Sequence, residues 1–210
     1  LHGSSAASDV YKRQTYILDQ IRNRDIKNLK ILDVGCGGGI ICEPLARLGA
    51  KVTGIDFAPN NISAAKIHSK KNKLKINYIH KDVEKSKLDG KFDLILMFEV
   101  LEHLDDWKKT IKKIKKNLNK NGIIIISTIN RNSLSKLFAI SIAENILKWI
   151  PKGTHDYNKL IKPEELKKTL TQENFYFKNI KGLVFDPLSR EWKLSKNYMI
   201  NYFCTANLIN

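Results

Sequence analysis

A glycine-rich stretch of the chain has the residue types that hold a nucleotide-like ligand. It reads Asp33-Val34-Gly35-Cys36-Gly37-Gly38-Gly39 and joins a predicted strand to a predicted helix. Glycine permits a positive φ and a close approach of the backbone, and the start of the helix offers unpaired N–H groups. The spacing excludes a dinucleotide fingerprint because position 40 is Ile, and it excludes a P-loop because no Gly-Lys-Ser/Thr follows.

Acidic residues follow the next two predicted strands. Asp56 ends the second strand about 20 positions after Gly35, where a carboxylate can accept both hydroxyls of a ribose. Its alternative role is to cap the helix that begins near Pro59. The pattern D-x-G-x-G-x-G resembles the first motif of class I S-adenosylmethionine-dependent methyltransferases. This resemblance implies a cofactor contact for Gly37 and an adenine contact for Asp82, just past the third strand.

The fourth predicted strand is followed by two carboxylates and an imidazole. If this segment is helical, Glu99, Glu102 and His103 share one face, because they stand at positions i, i+3 and i+4. Such a set can hold Mg²⁺ or another divalent cation, which would bind and ionise a phenolic hydroxyl as a Lewis acid. The alternative is that these side chains only form hydrogen bonds to neighbouring loops.

Further motifs lie beyond the fourth strand. They are V-L-E-H at residues 100–103, S-T-I-N-R at 127–131, A-E-N-I-L at 143–147 and P-K-G-T-H-D at 151–156. Together with the glycine loop they resemble the ubiquinone-biosynthesis O-methyltransferase family, from about Tyr16 to the C-terminus. The resemblance implies transfer of a methyl group from S-adenosylmethionine to a hydroxyl of a polyprenylated catechol or phenol, a ubiquinone precursor.

The resemblance also implies roles for single residues. The cofactor-contact positions are occupied by Gly35, Asp56 and Phe98. The positions proposed for a divalent cation are occupied by Glu99, Glu102 and His103. His155 is a candidate general base, since an imidazole titrates near neutral pH, and an ordinary loop histidine is the alternative. Glu99 is the second catalytic candidate.

The first residues do not fit this picture. Residues 1–14 are rich in Ser and Ala and lack a helical or strand period, so we expect a non-native or disordered leader. The family carries an N-terminal helical region with W-W-D and N-P-x-R stretches, which are missing here. Arg13 stands at the spacing of the family's arginine before Tyr16, but its neighbours do not match, and we assign it no role.

Apolar strands alternate with helices along the rest of the chain. Strands are predicted at 30–34, 51–56, 76–79, 92–98, 122–128, 175–183 and 198–206. Continuous β-branched runs between helices are typical of a parallel sheet that is covered on both faces. We therefore predict one α/β domain over residues 15–210, with a Rossmann-like, mostly parallel seven-stranded sheet and helices on both faces.

The net charge of +16 raises the question of a polyanionic partner. Lysine makes up 31 of the 37 basic residues, whereas evolved nucleic-acid sites favour arginine. In the helix predicted at 107–118 the apolar residues form one stripe and lysines cover the remaining surface. Nucleic acid is therefore not an expected partner. An RNA methyltransferase and a non-catalytic member of a quinone-synthesis complex remain the alternative functions.

Residues 132–160 form an insertion with a broad apolar face interrupted by lysine and glutamate. It suits a lid over the active site, a helix lying on an anionic membrane surface, or both. The chain has no apolar run of the ~20 residues that a spanning helix needs. Three scattered cysteines are typical of a reducing compartment. We expect a cytoplasmic bacterial enzyme, peripherally associated with the inner membrane.

Overall fold

The computed structural model describes residues 2–133, 135, 157–186 and 188–209 of the chain. Its helices are α1 (His2–Gln20), α2 (Cys42–Arg47), α3 (Pro59–Lys71), α4 (Trp107–Ile114) and α5 (Pro163–Gln172). Its strands are β1 (Lys30–Val34), β2 (Lys51–Asp56), β3 (Asn77–His80), β4 (Phe92–Phe98), β5 (Leu118–Ile129), β6 (Phe175–Asp186), β7 (Glu191–Ser195) and β8 (Asn201–Leu208). Short 3-10 turns occur at Leu101–His103, Lys115–Asn117 and Tyr157–Lys159.

The strands form one sheet in the order β3-β2-β1-β4-β5-β8-β6-β7. The first five strands in that order are parallel, and β8, β6 and β7 are joined through antiparallel pairs. The predicted α/β architecture is confirmed, but the sheet has eight strands and not seven. The additional strand is β7, in which only Trp192 and Leu194 are apolar, as befits an edge strand covered on one face.

Both faces of the sheet are covered by apolar packing. Successive residues of β1 point to opposite faces, so Ile31 packs in one core cluster and Leu32 in the other. Leu94 and Ile95 divide in the same way in β4, and all four side chains are at most 1% exposed. This double burial explains the continuous apolar runs of the central strands.

Helix α4 confirms the single apolar stripe in the lysine-rich part of the chain. Ile111 and Ile114 are fully buried, and Asp106 caps the helix by accepting a hydrogen bond from the Lys109 N–H at 2.9 Å. The α-helix ends at Ile114, and Leu118 already belongs to β5, so the predicted end at residue 118 is one turn too late. The adjacent lysines lie on a helix that packs on the sheet.

Residues 2–14 of the expected non-native or disordered leader belong to helix α1, which begins at His2. Tyr16 and Ile17 near its end are fully buried. The Tyr16 ring stacks on Phe203 with 4.6 Å between centroids, and its hydroxyl lies 2.6 Å from the Asn179 side chain and 2.8 Å from the Thr205 hydroxyl. Burial of one face against the last strands therefore stabilises α1, whose first part shows no helical period in the sequence.

Most of the insertion at residues 132–160 lies outside the described residues, and with it the predicted lid or membrane helix. Within the part of the chain that is described, no helix combines the length and the apolar character needed to cross a bilayer.

Candidate active site

The glycine loop lies at the carboxyl edge of the sheet, between β1 and α2. The N–H groups of Gly35 and Cys36 both donate to the Ile55 carbonyl, at 2.8 and 3.0 Å. Gly35 has a φ of +71°, and a Cβ atom there would stand 2.4 Å from Val100 Cγ2. Glycine is therefore required at this position, both for its φ and because the segment after β4 packs directly on the loop.

Asp56 ties the loop to the start of α3. Its Oδ2 accepts a hydrogen bond from the Gly37 N–H at 2.9 Å, and its Oδ1 accepts one from the Ala58 N–H at 2.9 Å. The Asn61 side chain donates to Oδ1 as well, at 3.2 Å. The alternative role as a helix cap is wrong, because the N-cap residue of α3 is Ala58 and no side chain caps this helix; Asp56 instead holds the turn that precedes it. A carboxylate still has lone pairs for further donors at the same edge.

Two side chains extend this edge beyond Asp56. Phe57 is 74% exposed although it is aromatic, and its carbonyl lies 2.8 Å from His80 Nε2. Phe57 was not among the predicted site residues; the signal that could have found it is an aromatic residue next to the predicted ribose acid. Asp82 follows β3 on the same side. Partial burial works to raise the pKa of Asp82, but N–H donors of Glu84 and Lys85 and the Lys85 charge hold it below its usual value.

The segment after β4 turns sharply at Glu99, which has a φ of +53°. The Glu99 N–H donates to the Ser127 carbonyl at 3.0 Å, and the Ser127 hydroxyl donates to Glu99 Oε1 at 2.7 Å. Phe98, the preceding residue, meets the Phe203 ring edge-on at 5.6 Å. The predicted site residues Phe98 and Glu99 therefore lie together at the carboxyl edge, beside the glycine loop that Val100 contacts.

Glu102 points the other way, into the protein. It is 3% exposed, and its Oε2 accepts a hydrogen bond from the Thr128 hydroxyl at 2.8 Å. Its Oε1 has no hydrogen-bond partner among the described residues. Burial, followed by the nearby charge of Glu99, raises the pKa of Glu102 well above its usual value. Burial therefore favours the protonated form of this side chain.

The predicted divalent-cation site does not fit this arrangement. Glu99 has a left-handed backbone conformation, so no α-helix includes this residue. Only a 3-10 turn follows, at Leu101–His103. Neighbouring residues of such a turn point about 120° apart, so buried Glu102 and exposed His103 diverge. Among the described residues, no three carboxylate, imidazole or thiol groups are arranged to hold a metal ion.

Arg13, to which the sequence analysis gave no role, reaches this site from α1. Its Nη1 donates to the Ser127 hydroxyl at 3.1 Å and lies 3.7 Å from Glu99 Oε1. Its Nε donates to Asp9, and its guanidinium stands 5.7 Å from the Phe98 ring centre. The spacing before Tyr16 was the signal that could have found it.

Asp33 lies beneath the glycine loop and is 3% exposed. The Cys42 thiol donates to its Oδ2 at 3.2 Å. Burial raises the pKa of Asp33 to about 7, with the Asp56 charge acting in the same direction. Because the Asp33 carboxyl is buried under the loop and bonded to Cys42, it supports the loop from below.

A cavity among the described residues lies away from the glycine loop. It has a volume of about 460 Å³ and lies at the opposite edge of the sheet, where β5 begins and β8 ends. Its lining includes Lys91, Lys115, Lys120 and Leu208. It shares no residue with the glycine loop or the Glu99 turn, so it is not the candidate active site.

A mostly parallel sheet with a glycine loop after β1 and an acid at the end of β2 is the arrangement of Rossmann-like nucleotide-binding folds, and the class I S-adenosylmethionine-dependent methyltransferases share it. A family model described as a methyltransferase domain matches residues 9–178. A ubiquinone biosynthesis O-methyltransferase of Rickettsia typhi (strain ATCC VR-144 / Wilmington) is 46% identical over 193 residues, which cover 91% of this chain and 78% of the relative. The chain belongs to the ubiquinone biosynthesis O-methyltransferase family.

Other comparisons agree with this assignment. A relative of the same name from Pelagibacter ubique (strain HTCC1062) is 45% identical, with coverage of 96% of this chain and 85% of the relative. Magnesium protoporphyrin IX methyltransferase (ChlM) from Synechocystis PCC 6803 with bound SAH has a similar fold. Its TM-score is 0.72 at 18% identity, with 98% of this chain and 85% of that chain covered. His155 lies outside the described residues, so its predicted role stays a prediction.

Proposed function

We propose that the protein transfers a methyl group from S-adenosylmethionine to a phenolic hydroxyl of a polyprenylated catechol or phenol, in the synthesis of ubiquinone. Relatives of that name at 45–46% identity support the proposal. When bound, S-adenosylmethionine would supply the methyl group: the carbon–sulfur bond would break as the bond to the phenol oxygen forms, S-adenosylhomocysteine would leave, and the hydroxyl proton would pass to a base. The protein has to align the two partners and to receive that proton.

The cofactor is assigned to the edge formed by the glycine loop, Asp56 and the residues after β3. Backbone groups of Gly35 and Gly37 would approach the amino-acid part, and Asp56 would accept the ribose hydroxyls. Exposed Phe57 offers an aromatic face for adenine, with Asp82 beside it. Phe98 would close the opposite side of the cofactor.

The methyl acceptor is assigned to the space next to Glu99. The observation that carries this is the contact of Val100 with Gly35, since it brings the Glu99 turn against the cofactor loop. Ser127 fixes Glu99 Oε1, and the side chain remains 30% exposed toward the edge. A carboxylate in this place can accept the proton of a phenol that donates to it. His155 is the second candidate base, from its sequence motif.

The location of the reaction follows from the substrate class. A polyprenyl tail partitions into lipid. We therefore extend the proposal to catalysis by a protein that associates peripherally with the anionic inner membrane of a bacterial cell. Contact there with other enzymes of a quinone-synthesis complex is part of the same proposal. The net charge of +16 supports attraction to an anionic surface.

The test is methyl transfer from labelled S-adenosylmethionine to a short-chain prenyl catechol by the purified protein. Asp56→Ala should raise KM for the cofactor about tenfold or more through loss of the ribose acceptor, whereas Glu99→Gln should lower kcat about tenfold or more. Asp89→Asn, at a side chain that is 82% exposed, is the matched control and should change neither. A folded protein that binds cofactor but labels no prenyl catechol or phenol would overturn the proposal.

A further inference from the structure

The strands β6 and β7 continue past the end of their neighbour β8. The last pair between β6 and β8 joins Leu183 to Asn201, whereas the pairs between β6 and β7 continue to Asp186 and Glu191. Residues 184–186 of β6 and 191–193 of β7 therefore form a two-stranded extension, which we call the β6–β7 extension together with the described residues 188–190 at its tip. Three further residues of a strand add about 10 Å.

The β6–β7 extension projects from the edge of the sheet that carries the active site. Strand β8 is antiparallel to β5, and β6 is antiparallel to β8, so β6 runs in the direction of β5. Ile129 at the end of β5 and Leu183 in β6 both pair with Asn201. The extension thus begins level with the end of β5 and continues beyond the carboxyl edge of the sheet.

The tip of the extension is fixed by hydrogen bonds and ring contacts. Asp186 Oδ1 accepts from the Leu188 N–H at 2.9 Å, and Asp186 Oδ2 accepts from the Lys193 ammonium group. The Phe185 and Trp192 rings lie 5.5 Å apart, and the Trp192 N–H donates to the Ser8 hydroxyl of α1 at 3.1 Å. Leu188 is therefore held outward by an ordered hairpin.

The surface of this tip is apolar with cations around it. Leu188 is 95% exposed, more than any other large apolar side chain that the structure describes. Phe185 in the same hairpin is 38% exposed, and Met199, in the turn that crosses over Gly182 at its base, is 50% exposed. The exposed charged residues nearby are Arg190, Lys193 and Lys196, together with the carboxylate Glu191.

We propose that the β6–β7 extension inserts its tip into an anionic lipid bilayer. Leu188 would enter the acyl region, and Arg190 and Lys196 would meet the phosphate groups. One projecting apolar side chain covers far less area than the ~800 Å² per partner of a stable protein interface, and this favours a bilayer over a protein. The insertion would turn the carboxyl edge toward the membrane. It deepens the proposed function and rests on it for the apolar substrate that enters there.

The test uses a fluorescent label at the tip. Cys36, Cys42 and Cys204 are all buried, so Leu188→Cys and the control Ile67→Cys each add one accessible thiol. Ile67 is 71% exposed and lies on α3, away from the extension. With an environment-sensitive dye, vesicles of equal parts phosphatidylglycerol and phosphatidylcholine should shift the emission of the Leu188→Cys label to the blue. They should leave the Ile67→Cys label unchanged.

Vesicle sedimentation supplies the second measurement. Leu188→Asp should lower the affinity for these vesicles about tenfold, while Ile67→Asp should not change it. Leu188→Asp should keep turnover of a short-chain, water-soluble catechol. A tip label that does not respond to vesicles, or that responds to added unlabelled protein alone and so reports a second copy, overturns the inference. A label that responds in a protein without methyl transfer overturns only the proposed function.

Discussion

Glu102 shows how a buried carboxyl can be mistaken for a metal ligand in a sequence. Thr128 satisfies one of its oxygens, and the other has no partner among the described residues. A buried ionised oxygen without a donor is costly, whereas a protonated one becomes a donor itself. The raised pKa of Glu102 follows from this burial and from the negative charge of Glu99.

Glu102→Gln should therefore be tolerated. An amide has the shape of the neutral acid and also donates, so we expect kcat within about twofold and an unfolding free energy within about 1 kcal/mol of the unsubstituted protein. Thr128→Val is the contrasting variant, because it removes the donor and should cost about 1–3 kcal/mol. Steady-state kinetics and urea unfolding measure both. A folded Glu102→Gln variant without activity would show that an ionised carboxylate is needed.

Asp33 should give the protein a distinct pH dependence. Its folded-state pKa of about 7 lies above the ordinary 3.8, so the folded protein holds a proton that the unfolded chain releases. Below about pH 4 the protonated Asp33 makes its full contribution to the free energy of unfolding. This contribution, roughly 4 kcal/mol, is lost as the pH rises to about 7. Asp33→Asn should remove this loss, so the variant gains stability relative to the unsubstituted protein as the pH rises.

Urea unfolding at several pH values between about 4 and about 8 measures this difference. Asp89→Asn serves as the control, because that carboxylate is 82% exposed. Parallel curves for the unsubstituted protein and Asp33→Asn would contradict a raised pKa for Asp33.

At the level of single residues, the sequence was a good guide where the chain itself brings groups together. Gly35 and Gly37 lie in one loop, and Asp56 follows the strand next to it, so parallel pairing alone places them. The shared helical face expected for Glu99, Glu102 and His103 was wrong. The left-handed backbone of Glu99 depends on hydrogen bonds to Ser127, 28 residues further on. Arg13 reaches the site through the packing of α1, which local pattern does not encode.

At the scale of elements, the contact between the glycine loop and the segment after β4 is steric. Gly35→Ala would place a Cβ atom 2.4 Å from Val100 Cγ2 at a φ of +71°. We expect a loss of about 1–3 kcal/mol in unfolding free energy from the backbone strain, with the steric overlap in addition. Gly38→Ala is the matched control in the same loop, since no atom lies within 4 Å of its Cβ position. Thermal or urea unfolding distinguishes the two, and equal stability would refute the steric argument.

The elements differ in how far local sequence defines them. The five parallel strands and α4 follow from apolar runs and from one apolar stripe, so their existence was predictable. Strand β7 was missed because its pairing with β6 and its cover by α1 stabilise it more than its own two apolar residues do. Residues 2–14 of α1 were not predicted as helix for the same reason, since the buried face of α1 is defined by Phe203 and Thr205 of β8.

At the scale of the whole molecule, we expect the excess of lysine to attract polyanions by long-range electrostatics, without a binding site for one particular partner. The net charge of +16 predicts weak binding of single-stranded RNA, with an affinity that falls at least tenfold between about 50 and about 200 mM salt. Affinity for S-adenosylmethionine should change by less than about twofold in the same range, because that site is local. Polyglutamate should compete with the RNA as well as another RNA does. Binding that resists salt and prefers one sequence would contradict this account.

The attachment of α1 has a consequence for the order of events during synthesis. Tyr16 bonds to Asn179 and Thr205, which lie 163 and 189 residues downstream. At ordinary elongation rates of about 5–20 residues per second, this helix waits roughly 10–40 s on the ribosome before its last partner is made. During that time its apolar face is open to chaperones. We therefore expect α1 to dock late in folding, so that substitution of Tyr16 should chiefly raise the unfolding rate and change the folding rate little.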